Sequence, residues 1–420
     1  MATELENPLY QEILANPGDL EPRLVFADWL EEHGDPRCEV IRLQYQIENN
    51  SPKQRGYTTL KAKERKLFKQ VGGFGSIREI TTSKEEYRAG FVEQIELTPT
   101  RFLKHAERIF ARAPVRRVRL KGICKSFDKI ANLSQLSRLC EMVIRNSRID
   151  QPNFRAFIRS PHLTGLEKLS IHSDEITSPG RDLSETELLD HITALFLSGT
   201  FVDDTTTAHV ANRAVALQQL SLRSQLSDAS LRSIAGSAGL RSLELLKLGA
   251  SWGIDNGFTE SALRDFGQSE FVLPLKSLNL QGVQRGFERA FEEPRFSKLE
   301  SLSIRWHVVQ DGAFALLLSH LKNITYLDFT QTTISDDAMI ALAKNPLLAN
   351  LEKFYASGNR ITLKGIEAVL DSQYFNKKTK FYLGGNPLGK ADIIAIKHRA
   401  GKTFGNFNRD YEFRAGYSYT

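Results

Sequence analysis

The sequence predicts an α/β fold: a curved solenoid with a concave parallel sheet and convex helices, preceded by a small helical N-terminal domain. Three observations carry this expectation. An L-x-x-L-x-L phrase, with a further apolar residue four or five positions on, recurs along most of the 420 residues. It returns at a near-constant spacing, and its copies lead into segments of helical periodicity. The clearest copy covers residues 324–334, with Ile324, Leu327, Phe329 and Ile334 at its apolar positions and a helix-like stretch over 335–343. Leu217, Leu220, Leu222 and Leu226 form a second copy, and Leu351, Phe354, Ala356 and Ile361 a third.

Composition sets the outer bounds. A hydrophobic fraction of 41% supplies a continuous core, and a net charge of +6 permits acidic partners without demanding nucleic acid. Cys38, Cys124 and Cys140 are scattered, which gives neither a disulfide framework nor metal-ligand spacing, so reduced and partly buried thiols are expected. The opening residues 1–6 are acidic and lack a hydrophobic signal core, and no apolar run approaches the length of a membrane span. A cytoplasmic location without membrane contact is the expectation.

Residues 1–70 read as a compact helical unit, too small to stand alone. Pro8 and Pro17 bound a first short helix. A second begins near Asp19 and Pro22, carries Leu24, Val25, Ala27, Trp29 and Leu30, and ends at Gly34. A third starts at Asp35 and Pro36, with Val40, Ile41, Leu43 and Ile47 as its apolar stripe. The charged residues Arg23, Asp28, Glu31, Glu32, His33 and Asp35 lie on one helix with no second ligand-bearing segment, so they read as a solvated face in which Arg23 pairs with Asp28. Trp29 reads as a core anchor.

The run Asn16-Pro17-Gly18-Asp19, then Arg23-Leu24-Val25-Phe26-Ala27-Asp28-Trp29-Leu30-Glu31-Glu32-His33-Gly34-Asp35-Pro36, then Glu39-Val40-Ile41-Arg42-Leu43-Gln44, resembles the short repeat-companion domain of planctomycete bacteria. That family's pattern is close to N-P-x-D, R-L-V-Y-A-D-W-L-E-E-x-G-D-P and E-x-I-R-L-Q. Phe26 and Cys38 stand where the family has Tyr and Ala. Such domains typically precede repeat arrays and have no established biochemical role, so the resemblance implies architecture rather than activity.

Residues 50–75 are polar and basic, with Leu60, Leu67 and Phe68 as a weak helical stripe; a solvated linker helix is expected, the alternative being a basic helix that binds an acidic surface, and a hinge follows over 71–75. Residues 71–114 read as linker and N-terminal cap. Strands run through Ile77, Ile80 and 87–97 around a turn, and Phe102, Leu103, Ala106, Ile109 and Phe110 mark a helix.

The array proper is expected over 115–390. The last apolar residues of successive strands are Leu120, Ile144, Ile171, Leu197, Leu222, Leu248, Leu280, Ile304, Phe329, Ala356 and Leu383. Their gaps are 24, 27, 26, 25, 26, 32, 24, 25, 27 and 27, the period of a leucine-rich repeat of about eleven units; the long gap holds an inserted loop at 252–257. Alternation in the strands turns the leucines inward, and Ser335, Ser227 and Asp311 read as N-caps of the returning helices. The period and helices resemble the ribonuclease-inhibitor-like class of these repeats. Residues 391–420 read as a C-terminal cap: a helix over 391–400 closed by Gly401, then a tail carrying Phe404, Phe407, Tyr411, Phe413, Tyr417 and Tyr419.

Two patches stand out at outward strand positions. Arg116, Arg117 and Arg119 make the first strand basic. Tyr326, Tyr355 and Tyr382, with Asp328, line the last three strands, Arg305 belongs to the preceding one, and Trp306 and His307 follow it; Lys353 and Lys380 are outward there too. Aromatic residues beside charges suit protein recognition. No H-x-x-x-H, no G-x-S-x-G and no nucleotide loop occurs, so neither cofactor nor enzymatic activity is expected. Gly358-Asn359 and Gly384-Gly385-Asn386 read as repeat turns with left-handed backbone. The functional expectation is a scaffold that binds a protein partner on the concave face. The alternative is an adaptor, or substrate receptor, whose N-terminal domain recruits an enzyme while the solenoid selects targets. Alternating outward charge argues against nucleic acid.

Overall fold

The computed structural model describes residues 4–52, 54–83, 85–123, 126–145, 149–173, 176, 179–199, 202–249, 257–281, 286–293, 295–375 and 379–400. Cys124, the inserted loop at 252–256, Gly401 and the aromatic tail lie outside the described residues. The fold is an α/β leucine-rich-repeat solenoid, and the chain divides into two compact units, Met1–Leu188 and Leu189–Thr420.

In the first unit, four helices precede the sheet: α1 (Pro8–Ala15), α2 (Glu21–Glu32), α3 (Arg37–Asn49) and α4 (Tyr57–Val71). Strand β1 (Glu86–Arg88) pairs antiparallel with β2 (Phe91–Leu97), and α5 (Pro99–Arg112) follows. Then β3 (Arg117–Lys121), β4 (Glu141–Arg145) and β5 (Lys168–His172) add in parallel, one per repeat. Leu97, Leu120, Ile144 and Ile171 stand in one cross-strand row and all are buried. The apolar row of the sequence is therefore a structural row, because a one-residue slip would turn every leucine to solvent. Residues 78–80, expected within a strand, form a turn instead.

The N-terminal helices are built onto β1 and β2. Tyr10, Ile13, Leu14, Phe26, Ala27, Leu30, Cys38 and Ile41 share a core with Phe74, Ala89 and Phe91, and the Tyr10 hydroxyl donates to the Arg112 carbonyl at 2.8 Å. The expected hinge at 71–75 is pinned. Phe74 is buried, stacks on Phe91 with ring centroids 5.1 Å apart, and donates its N–H to the Gly90 carbonyl at 2.8 Å. A Cβ on Gly73 would lie 2.6 Å from the Gly90 oxygen, so the approach of these backbones requires glycine.

Arg23 does not pair with Asp28. Asp28 and Glu31 both accept from Arg42 Nη2, at 2.7 Å each. Arg23 is fully buried and reaches Glu93 Oε2 at 3.1 Å, the Arg88 carbonyl at 2.7 Å and the Pro17 carbonyl at 2.8 Å. The β1–β2 register explains the partner. It steps from Tyr87↔Val92 to Glu86↔Gln94, which leaves Glu93 as the extra residue of a β-bulge. A bulge re-aims its side chain, and here the carboxylate is turned onto the guanidinium of α2.

In the second unit the strands are β6 (Ala194–Ser198), β7 (Gln219–Arg223), β8 (Leu245–Gly249), β9 (Ser277–Gln281), β10 (Ser301–Arg305), β11 (Tyr326–Asp328), β12 (Lys353–Tyr355) and β13 (Lys380–Tyr382). All pair in parallel with their sequence neighbours, and Leu197, Leu222, Leu248, Leu280 and Ile304 form the buried row. Helices return between strands, except that a 3-10 helix at Phe287–Phe291 replaces one of them. The last described element is the helix Lys390–Ala400.

Polar staples lock repeat to repeat. Ser227, Ser335 and Thr362 cap their own helices and also donate to the first-turn aspartate of the preceding helix: Ser227 to Asp204, Ser335 to Asp311, Thr362 to Asp336. Asp311 is thus not the N-cap of its helix, a position held by Gln310; its carboxylate caps the next repeat. Asn359 accepts from Thr332 N at 2.9 Å and donates to the Phe329 carbonyl at 2.7 Å, and Asn386 repeats this with Ile361 N and the Ala356 carbonyl. Buried turn groups that a strand ladder leaves over are satisfied in this way.

Candidate functional site

The outward face of β11–β13 follows from register. Ser303, Asp328, Tyr355 and Tyr382 form one cross-strand row, and Ser301, Tyr326, Lys353 and Lys380 the next. Tyr355 and Tyr382 are therefore lateral neighbours, and their rings stack with centroids 4.1 Å apart at an interplanar angle of 2°. Tyr326 sits diagonally, its centroid 5.3 Å from that of Tyr355. The three half-buried tyrosines make one continuous aromatic strip, flanked by the exposed Lys353 and Lys380. Each aromatic contact is worth about 0.5–1.5 kcal/mol beyond area burial, so the strip is held in place without a ligand.

Asp328 is fully buried and works from beneath. It accepts from Arg305 Nε at 2.6 Å, from Thr330 N at 3.1 Å, from Thr330 Oγ1 at 2.7 Å and from the Tyr326 hydroxyl at 3.3 Å. Burial, reinforced by the Asp328 charge, pushes the Tyr326 phenol well above its ordinary pKa, so it stays a neutral donor. Arg305 is mostly buried against the same carboxylate. Of the residues singled out on this side, Asp328 and Arg305 orient the strip, while the tyrosines present it.

Trp306 is half-buried at φ 62°, left-handed, with its N–H donating to the Thr330 carbonyl at 3.2 Å. The same turn position two residues past the buried strand residue recurs as Gln331 (φ 57°), Gly358 (φ 68°) and Gly385 (φ 73°). Glycine meets this need without strain in the last two repeats. A tryptophan there costs about 1–3 kcal/mol, the kind of strain that collects at functional positions.

The basic strand β3 has a different environment. Arg116 faces Glu167 at 3.9 Å, Arg117 faces Glu93 at 4.0 Å and Arg119 faces Glu86 at 3.8 Å. Register also sets Arg117 opposite Glu141 and Arg119 opposite Glu96. Opposite charges at facing positions offset one another. Lys353 and Lys380, outward by the sequence pattern, lie one position before Phe354 and Phe381, which puts them in the Tyr326 row.

Among the described residues, no group of three His, Cys, Asp or Glu side chains converges on a metal-sized site, and no helix is long and apolar enough to cross a membrane. Cys38 is buried and Cys140 half-buried, and burial raises both thiols.

No protein-family model matches this chain, and no curated protein sequence does. Among solved structures it is similar to an internalin from Listeria monocytogenes, with 16% identity over 70% of this chain and 81% of that one and a TM-score of 0.41. It is similar to a chain of the TLR13–ssRNA13 complex, with 16% identity over 71% of this chain and 40% of that one and a TM-score of 0.45. It is also similar to a chain of the Rad7–Elc1 complex of yeast, with 12% identity over 89% of this chain and 87% of that one and a TM-score of 0.49.

Proposed function

We propose that the protein is a non-enzymatic interaction scaffold that holds a protein partner on the strand face of its last repeats. The observation behind this reading is the strip Tyr326–Tyr355–Tyr382, stacked, anchored through Asp328 and flanked by two exposed lysines. Tyrosine and arginine dominate the binding energy of protein interfaces, and a strip already held in its geometry loses little entropy on association. The strained Trp306 lies two residues past the buried Ile304 of β10 and extends the aromatic composition.

The test is substitution of Tyr326, Tyr355 and Tyr382 by Ala in the full chain. A partner captured by the wild type should bind the triple variant more weakly by a factor of at least about 100, given hot-spot losses of about 2 kcal/mol or more per residue. Equal binding would remove this face from the account. The adaptor reading assigns recruitment to the N-terminal helices. The buried Arg23–Glu93 contact favours testing that reading in the full chain, because residues 1–70 alone lack Glu93.

A further inference from the structure

Helix α4 carries a second surface of different chemistry. Its fifteen residues include five cations, Lys61, Lys63, Arg65, Lys66 and Lys69, against one carboxylate, Glu64. All five cations are exposed, whereas Glu64 is half-buried and accepts from Gln44 Nε2 of α3 at 2.7 Å. The apolar residues Leu60, Leu67, Phe68 and Val71 are half-buried, and the Phe68 ring meets Tyr87 edge-on at 4.7 Å. The helix thus spends its apolar side on its own fold and leaves a cationic face open.

That face has order. Lys61, Arg65 and Lys69 stand four residues apart, which places them in one stripe with steps of about 6 Å along the axis. Like charges at this spacing repel, so the arrangement weakens the helix that bears it. Lys63 reaches Glu39 only at 3.5 Å with both groups exposed, and Lys61 lies 5.4 Å over the Tyr57 ring. Among the described residues, Arg65, Lys66 and Lys69 have no carboxylate within ion-pair distance. An anionic ligand would relieve the repulsion.

We propose that the open face of α4 docks a short acidic segment of a protein partner. The size and the setting select this class. The stripe is about 12 Å long. The helix α2 is acidic and exposes Glu21, Asp28, Glu31 and Glu32, and α3 exposes Glu39. Glu39 borders the face beside Lys63, so a long uniform polyanion such as duplex nucleic acid, running past the stripe, would meet a carboxylate there, whereas a local run of Asp or Glu need not. The half-buried apolar side is turned to the protein's own fold, with Phe68 on Tyr87, so the cationic face carries no large apolar residue to insert into a lipid surface.

The probe is fluorescein-labelled polyglutamate of about a dozen residues, a length that spans the stripe in an extended or helical form, titrated by anisotropy against the full chain. Oligonucleotides of matched charge, single-stranded and duplex, form the second arm. Wild type should bind polyglutamate more tightly than either oligonucleotide. The variant K61E/R65E/K69E should bind it at least about tenfold more weakly, the sum expected for three exposed ion pairs. Because those side chains are exposed, circular dichroism and the unfolding midpoint should stay unchanged. The variant K353Q/K380Q should bind polyglutamate like wild type, which separates this surface from the tyrosine strip. Wild-type affinity in the triple variant, loss in K353Q/K380Q, no polyglutamate binding by the wild type, or tighter binding of an oligonucleotide would each overturn the proposal.

Discussion

Strand β3 and strands β11–β13 both turn conspicuous side chains outward, yet their surroundings treat them in opposite ways. Arg116, Arg117 and Arg119 each face a carboxylate of the same unit, and Glu96 and Glu141 flank them in register. The tyrosines of the last strands face one another, and the lysines beside them stay exposed. Charge in the first case is absorbed by the fold. Aromatic area in the second is organised by the fold but left available. A cluster of one residue type thus acquires meaning from what lies across the ladder, which composition does not reveal.

The largest effect is expected at Arg23. If the acidic residues near β3 serve the fold, removing their buried counterpart must be costly. Arg23→Ala should destabilise the first unit by about 3 kcal/mol, since it takes the fully buried guanidinium from Glu93, leaves that carboxylate to the more exposed Arg88 and Arg117, and removes the donor to the Arg88 and Pro17 carbonyls. Urea unfolding followed by circular dichroism measures this, and a loss below about 1 kcal/mol would contradict the buried-pair assignment. Replacing both partners by Met and Leu should recover much of the loss.

The next effect is on binding. Tyr382→Ala and Tyr355→Ala should each weaken partner binding by about 2 kcal/mol, roughly thirtyfold, measured by calorimetry with the captured partner. Arg117→Ala together with Arg119→Ala should change that affinity by less than about threefold, as compensated exposed ion pairs do. Comparable losses from both sets would erase the distinction.

Smaller effects test the frame. Asp336→Ala removes the acceptor for Thr362 N, Thr362 Oγ1 and Gly365 N, and should cost about 1–2 kcal/mol in the second unit by thermal unfolding. Gln331→Gly should stabilise by about 0.5–1 kcal/mol, because the φ of 57° suits glycine as at Gly358 and Gly385. A destabilisation there would show that the Gln331 side chain contributes more than its backbone costs.

The strand row was legible because a repeat is a one-dimensional signal: Leu120 to Leu383 mark the buried positions with no knowledge of what lies across the sheet. What escaped was non-local. Asp311 looks like a cap for its own helix, and only the stacking of repeats shows that it serves Ser335. Arg23 has Asp28 nearby in sequence, but a bulge 70 residues on supplies its true partner, Glu93. Tyr326, Tyr355 and Tyr382 were visible as outward residues, whereas the offset of Tyr326 into the Lys353–Lys380 row needed the register. The strain at Trp306 and Gln331 had a readable signal, since Gly358 and Gly385 hold the same place two residues past the buried strand position.

Site-specific photocrosslinking most directly tests whether the last strands, rather than the first, are the contact face. A photoreactive phenylalanine analogue replaces Tyr382 in one full-length variant and Arg119 in another, each irradiated with extracts of the native host. The expected result is a discrete crosslinked protein from position 382 that unlabelled wild type competes away, and none from position 119. A competed product at 119 with none at 382 would contradict it.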